Sequence, residues 1–410
     1  MNRRAEIVTA LVLAALWGAG IFTAHATGHL QFLDRLEATL TDLRTIARGV
    51  QRPPDLVTIV AIDDTVVKRG GSYPLPRADL ARVVDTIVQF KPKIVAIDLP
   101  LAERSAAIGD ATLANTLATG PMVLAAAAIF PSKASSSAGA GPFATLPQAK
   151  QLVLPLPAFS EHADIGIVDV ATGQSGSLLS IPMLFGIGDR VEQSFPLLVA
   201  CRALDQPLTI RTDHLALGDR AVQTDADFSL PITYYGPRRT IRTVSAQSIF
   251  DGTLDRKAIE NRIVVIGGAV AGHSDFLPTP FDSLMPGVEV ISTAITHLVA
   301  GDGIVRDRKV HITNALVAIL LPMLLVGLLA WRRGALGYVA AAATMAGWAA
   351  INLFAFTHGV WLDAAMTLAA TVPPVAVFVG VRLWVDRRRT QSLVDNGPSP
   401  AQLQATAAQD

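Results

Sequence analysis

The sequence predicts an α/β fold: an exported α/β domain with a partly parallel sheet, inserted between one N-terminal and three C-terminal transmembrane helices. Three observations carry this reading. Hydrophobic residues make up 51% of the 410 residues and charged ones only 17%, against about 25% charge in an ordinary soluble domain, and mean hydropathy is +0.42. Apolar runs of about 20 residues, the length a bilayer core requires, flank a long mixed segment, one before it and three after. Within that segment short β-branched runs alternate with amphipathic helical spacing, the pattern of parallel strands joined by helical crossovers.

This composition excludes a wholly soluble enzyme and an intrinsically disordered chain. Thirty-four Lys and Arg balance 34 Asp and Glu, so there is no electrostatic footprint for nucleic acid. The single cysteine, Cys201, excludes an internal disulfide and a cysteine-based zinc cluster.

The apolar runs are Ile7 to Ala26, Ile312 to Trp331, Ala335 to Phe356 and Leu362 to Val381. Pro322, Pro373 and Pro374 fall inside them as packing kinks, which membrane helices tolerate. Arg3-Arg4, Arg332-Arg333 and Arg387 to Arg389 flank them, whereas Thr357-His358-Gly359 has no Lys or Arg. The positive-inside rule then places both termini in the cytoplasm and residues 27–311 outside, in the periplasm of an inner-membrane protein. Residues 1–26 have a second reading. Arg3-Arg4, an apolar run and Ala24-His25-Ala26 also fit a signal peptide. Either way residues 27–311 are exported, and a domain of that size needs no disulfides. Residues 382–410 read as a disordered cytoplasmic tail, too short and polar for another domain.

Leu33, Leu36, Leu40 and Leu43, with Ile46 and Ala47, predict an amphipathic helix leaving the membrane and ending by Arg52-Pro53-Pro54. Leu56 to Ile62 is a buried strand closed by Asp63-Asp64. After the turn region Gly70 to Arg77, Leu80, Val83, Val84, Ile87 and Val88 give helical spacing, broken at Lys91-Pro92. Ile94 to Ile97 is a second buried strand, ending at Asp98. The β-α-β order predicts that these strands are parallel neighbours with a right-handed crossover. Pro131 to Pro142 is a flexible Ser/Ala/Gly/Pro loop. Ile165 to Val170 and Leu178 to Phe185 predict a strand pair joined by the turn Thr172 to Gly176. Ile263 to Ile266 is a further buried strand leading into Gly267-Gly268. Val290, Ile291, Ala294, Ile295 and Leu298 mark a helix before the second apolar run. No internal repeat is present.

The candidate site follows from the strand ends. Asp63, Asp64 and Asp98 stand at the C-terminal ends of two strands read as adjacent, the edge where open α/β sheets place ligands. Such carboxylates can cap loops, with Arg77 neutralising one of them. They can also hold a divalent cation, bind an organic ligand or share a proton. His273 and Asp275, in the loop after Ile266, converge on the same edge, as a structural hydrogen-bonded pair, a metal ligand pair or a titrating one. Gly267 to Ser274 mimics a phosphate-binding loop with His273 in the place of its lysine. A mostly neutral His cannot supply the permanent charge, and Pro278 and Pro280 oppose the helix that should follow. The plain reading is a tight glycine turn. His25 and His29 have metalloprotease spacing, but Ala26 stands where the Glu base belongs, so they read as interfacial residues. No serine stands in a nucleophile elbow. No cofactor is indicated, and the metal question stays open.

The ordered motifs resemble a type-2 CHASE domain, the cyclase/histidine-kinase-associated sensory extracellular domain. They are Asp42-Leu43-Arg44, VTIVAIDD at Val57 to Asp64, Leu75-Pro76-Arg77 where the family shows a Trp-Pro-Arg-like sequence, and KIVAID at Lys93 to Asp98. Then follow Gly236-Pro237, Val244-Ser245 before a helix ending near Phe250, RIVVIG at Arg262 to Gly267, Asp275-Phe276, Thr279-Pro280 and Met285 to Glu289. The resemblance covers Leu33 to Arg306 and implies a membrane sensor, not an enzyme. Its partners would be the lipid bilayer, an extracytoplasmic ligand or protein, and a second copy in a homodimer. Family members usually continue into a cyclase or kinase after the last span. Only about 25 residues follow here, too few for such a domain, so the chain is either a stand-alone sensor that passes its signal to a separate cytoplasmic or membrane partner, or a fragment. The residues also admit two rivals. One is an anchored, exported metal-dependent hydrolase using Asp63, Asp64, Asp98 and His273. The other is an envelope assembly protein.

Overall fold

The structure is a computed structural model that describes residues 3–131, 143, 145–169, 178–212, 214–225, 227–331 and 334–395. The loop expected over Pro131 to Pro142 (apart from Pro131), the turn expected over Thr172 to Gly176, the Arg332-Arg333 pair and tail residues 396–410 lie outside the described residues.

In chain order the principal elements are α1 (Arg3–Ala26), α2 (Gln31–Arg48), β1 (Val57–Asp63), α3 (Asp64–Gly70), α4 (Arg77–Gln89), β2 (Ile94–Asp98), α5 (Ala107–Leu117) and β3 (Met122–Ile129). They continue with β4 (Gln151–Val153), β5 (Asp164–Ile167), α6 (Phe195–Leu204), β6 (Thr243–Ser245), β7 (Ile263–Ala269), α7 (Gly287–Ala300), α8 (Arg308–Trp331), α9 (Ala335–Thr357) and α10 (Ala364–Asp395). The chain divides into two compact units. One comprises Met1–Glu37, Ile312–Asn352 and Asp363–Asp410; the other comprises Ala38–His311 and Leu353–Leu362.

The second unit is built on one sheet in the order β6-β1-β7-β2-β3, with every neighbouring pair parallel. The far edge of β3 takes β5 in parallel along Val123 to Ala126 and β4 antiparallel along Ala127 to Ile129. Two sequence expectations are corrected here. First, β1 and β2 are not neighbours, because β7 lies between them: Val60 faces Ile266, which faces Ile97. The run Ile263 to Ile266 is apolar on both faces, so it is as fit for the sheet centre as either predicted neighbour. Second, Ile165 to Val170 and Leu178 to Phe185 do not pair. β5 joins β3, Ser180–Pro182 pairs with Ser229–Pro231, and Leu184–Ile187 forms a hairpin with Arg190–Gln193. Gly188, at φ 58°, supplies the left-handed conformation that this two-residue turn needs. The short helix α3 was also not foreseen, because it follows β1 without any loop.

Alternation along the strands sorts side chains into two cores. Val57, Ile59 and Ala61 of β1, Ile94 and Ala96 of β2, and Ile263 and Val265 of β7 pack in one core with α6 and α7. Val60 and Ile62, Val95 and Ile97, and Val264 and Ile266 pack in the other with α4 and α5. The result is a sheet covered by helices on both faces. Each of the valines and isoleucines contributes about 1.5–3 kcal/mol on burial. Thr58 intrudes on this pattern, and its buried hydroxyl is satisfied by donating to the Ala258 carbonyl at 2.6 Å.

The first unit holds α1, α8, α9 and α10, four helices long and apolar enough to cross a membrane. Small residues let them approach. A side chain at Gly18 would overlap the Ala318 carbonyl, and Ala318, Met366 and Ala370 pack with Ile21 and Phe22. The indole of Trp17 donates to the Ala369 carbonyl at 3.0 Å. Buried Glu37 accepts the first free amides of α10, from Ala364 at 2.9 Å and Ala365 at 2.8 Å. That satisfies orphan donors where water is scarce and places negative charge at a helix N-terminus. At its other end α10 is longer than expected, since residues 382–395 are helical where a disordered tail was predicted. No helix breaker occurs before Asn396-Gly397-Pro398, and Arg382 donates to the Leu329 carbonyl at 2.6 Å.

Candidate functional site

The C-terminal edge of β6, β1 and β7 opens into a cleft of ≈ 250 Å³. Its floor is apolar, formed by Ile59, Ala61 and Val288, because these side chains continue the core upward. Its walls are charged. Asp63, Asp64 and Thr65 come from the junction of β1 and α3, and Arg238 and Arg239 from the turn before β6.

Local sequence fixes each group. Asp63 is the N-cap of α3, its Oδ1 accepting the amides of Thr65 at 3.1 Å and Val66 at 3.3 Å. Asp64 accepts the Ala271 amide at 3.3 Å, tying α3 to the loop after β7. Glu289, in the first turn of α7, is 5% exposed and accepts the Arg239 amide at 2.9 Å. Burial pushes its carboxyl up, against the amides of Arg239, Ile241 and Thr240, which favour the ionised form. Arg238 grips Asp282 through two hydrogen bonds, at 2.7 and 3.2 Å, and holds that carboxyl below the usual range. Arg239 is exposed at φ 67°, and among the described residues its guanidinium makes no ion pair. The cleft thus sets three carboxylates, of Asp63, Asp64 and Glu289, and an unengaged guanidinium around an apolar floor.

The remaining sequence candidates lie elsewhere. With β7 interposed, Asp98 is separated from Asp63 and Asp64 along the sheet edge. Its carboxyl is pushed up to about 7 by burial and then by the charge of Asp275. Asp275 also raises Asp169, where burial is the larger cause and a 2.6 Å bond from the Ala128 amide opposes it. The charge of Asp275 therefore acts on both Asp98 and Asp169. Among the described residues no three His, Cys, Asp or Glu side chains are placed to hold a metal ion. His273 is exposed and meets Tyr73 edge-on, with ring centroids 5.6 Å apart. Arg77 neutralises none of Asp63, Asp64 and Asp98. It is buried at the start of α4, donates to the Pro100 carbonyl at 3.1 Å and lies 3.8 Å from Asp110.

The phosphate-loop mimic resolves as packing. Gly267 and Gly268 lie within β7, where a Cβ would overlap Val288 and the hydroxyls of Tyr73 and Ser274, respectively. The Val270 and Ala271 amides already serve Ser274 and Asp64, which leaves those donors engaged. Sequence reasoning missed Arg238, Arg239, Glu289 and Asp169. The available signals were the paired arginines in a Gly-Pro turn and a lone acid in the first turn of an apolar helix. Asp169 sits just beyond a strand end, the criterion that found Asp98.

A family model described as the CHASE2 domain matches residues 8–330. No curated protein matches the chain, and no solved structure does. The match takes in the motifs VTIVAIDD, KIVAID and RIVVIG, which form the three central strands, together with the first two apolar helices. With an α/β domain on a largely parallel sheet and four apolar helices flanking it in sequence, the chain belongs to the CHASE2 domain family and carries an extracytoplasmic sensory domain in a membrane protein.

Proposed function

We propose that the cleft between Asp63-Asp64 and Arg238-Arg239 receives a small charged solute from outside the cytoplasm, and that its occupancy is relayed through the apolar helices to a signalling partner. The observation that carries this reading is the position of the cleft. It lies at the C-terminal edge of a parallel sheet, with acidic and basic walls on separate segments that a bound solute would draw together. Both chain ends lie on the cytoplasmic side in this proposal, following the arginines that flank the helices.

A physical route supports the relay. α7 carries Glu289 in the cleft at its first turn and His297 in its last turn. The His297 ring bonds Asp302 at 2.7 Å and the Thr233 carbonyl at 2.8 Å. Three residues on, Val305 bridges to Gly359 and Trp361, at 2.8 and 3.0 Å, in the connection between α9 and α10. A shift of α7 therefore acts on the chain entering α8 and on that entering α10. Such coupling requires a solute that binds two arrangements with different affinity.

The test uses the full chain in detergent. Its thermal unfolding is followed against L-amino acids, dicarboxylates, phosphate and polyamines at millimolar concentration. A solute at about 100 times its Kd stabilises by about 2.7 kcal/mol, and that shift should vanish in Asp64→Asn and Arg239→Gln. If no solute shifts the wild type, or if the shift survives both substitutions, the cleft is not the binding site.

A further inference from the structure

We infer that the solute this cleft takes is a small zwitterion of the amino-acid class, an ammonium and a carboxylate carried on one apolar body. The inference rests on the proposed reading of the cleft as a solute site and adds the charge and size of the occupant. The free groups of the cleft define both. Asp63 engages its Oδ1 with the Thr65 and Val66 amides and the Thr65 hydroxyl, and Asp64 engages its Oδ1 with the Ala271 amide. Among the described residues the Oδ2 atom of each accepts no hydrogen bond. Glu289 is occupied by backbone amides of the Arg239 turn, and Arg238 by Asp282. Two carboxylate oxygens and the Arg239 guanidinium remain, and among the described residues no ion pair joins them. They also enter the cleft from different places. Ile59, Ala61 and Asp63 alternate along one face of β1, and Thr243, the start of β6, pairs with Ile59. The acids therefore stand at the far end of that strip from the strand start into which the Arg238-Arg239 turn leads.

Every other class of solute leaves part of this arrangement uncompensated. A dicarboxylate or phosphate sets its negative charge against Asp63 and Asp64, with a single free guanidinium to offset it, and a polyamine sets its positive charge against Arg239. A bare divalent cation lacks ligands, because among the described residues no three His, Cys, Asp or Glu side chains are placed to hold one. An uncharged apolar solute takes the free charged groups out of water without giving them partners. A zwitterion compensates both ends. Its ammonium donates to the free oxygens of Asp63 and Asp64, and its carboxylate accepts the paired N–H groups of the Arg239 fork. Its hydrocarbon then lies on Ile59, Ala61, Val288 and Phe276, which line the cleft. Size agrees with charge. Pockets for drug-sized ligands hold roughly 300–1,000 Å³, and a cleft of ≈ 250 Å³ suits an amino acid, not a nucleotide or an oligosaccharide.

Calorimetric titration of the full chain in detergent tests it, with two zwitterions that differ in the distance between their charges, L-leucine and δ-aminovalerate. At least one should bind. Removing either of its charges should weaken binding by about tenfold or more, as read with leucinamide and isocaproate for the first and pentylamine and valerate for the second. Arg239→Gln should remove most of the preference for the probe that keeps its carboxylate, and Asp64→Asn most of that for the probe that keeps its ammonium. Both substitutions change exposed side chains, and an unaltered melting curve without probe shows that the variants fold. A zwitterion that binds no better than its singly charged analogues overturns the inference. If succinate, phosphate or putrescine binds and these substitutions weaken it, while both zwitterions are silent, the solute class is wrong and the cleft stands as the site. If no probe binds, or zwitterion binding survives both substitutions, the reading of the cleft as a solute site falls as well.

Discussion

Asp98 holds its proton to about pH 7 in the folded domain, because burial disfavours its charge and Asp275 adds repulsion. In the unfolded chain it ionises near 3.8. The folded state therefore binds the extra proton between these values. The stability this group confers is complete below 3.8 and is lost as pH rises through 7. Asp169 and Glu289 shift in the same direction, so the variant isolates Asp98 better than the wild-type curve does. Asp98→Asn should flatten the fall in stability between about pH 4 and pH 7, by at most roughly 4 kcal/mol, as read from urea unfolding at each pH. An unchanged slope would mean that Asp98 is solvated. Asp55 works in the opposite sense. Arg262 and Arg242 hold its carboxyl far below the usual range, so its contribution is present above the unfolded value and is lost only in stronger acid, outside that window.

At the scale of the element, α3 and α7 frame the cleft, and each depends on a carboxylate at its first turn. Removing the Asp63 cap by Asp63→Ala leaves the Thr65 and Val66 amides without that acceptor. The cost should be about 1 kcal/mol, visible as a lower denaturation midpoint with the same cooperativity. A neutral result would show that water replaces the cap. Elements were also where the sequence was most legible. The periodicity of Leu80 to Val88 located α4, and β-branched runs located β1, β2 and β7. Which strands touch was not legible, because any buried parallel strand presents the same apolar run, and only the backbone register chooses the neighbour. Nor was the direction of the α2 face. The leucine spacing announced an amphipathic helix, but Glu37 and Arg44 turned its polar side inward by finding partners more than 300 residues away in sequence.

For the molecule as a whole, the connection Leu353–Leu362 belongs with the sensory unit. Trp361 is 1% exposed and packs with Ile304, Phe356 and Leu179. Trp361→Ala should cost about 3–5 kcal/mol and speed hydrogen exchange at Val360 and Trp361, leaving the β1 and β7 amides protected. If exchange rises equally throughout, the connection is not a local staple and the proposed relay loses its last step.

The sequence by itself determined the class of the protein. Composition demanded a bilayer, run length counted the helices long enough to cross it, strand and helix periods specified an α/β domain, and ordered motifs pointed to the family. These are properties of local segments, each set by its own hydrophobic pattern. Only the tertiary structure decided the site. It inserted β7 between β1 and β2, parted Asp63 and Asp64 from Asp98, buried Arg77 against Asp110, and set Arg238 and Arg239 beside the β1 carboxylates. Charges brought together from distant segments leave no periodic trace along the chain, because their meeting is dictated by strand order and not by spacing.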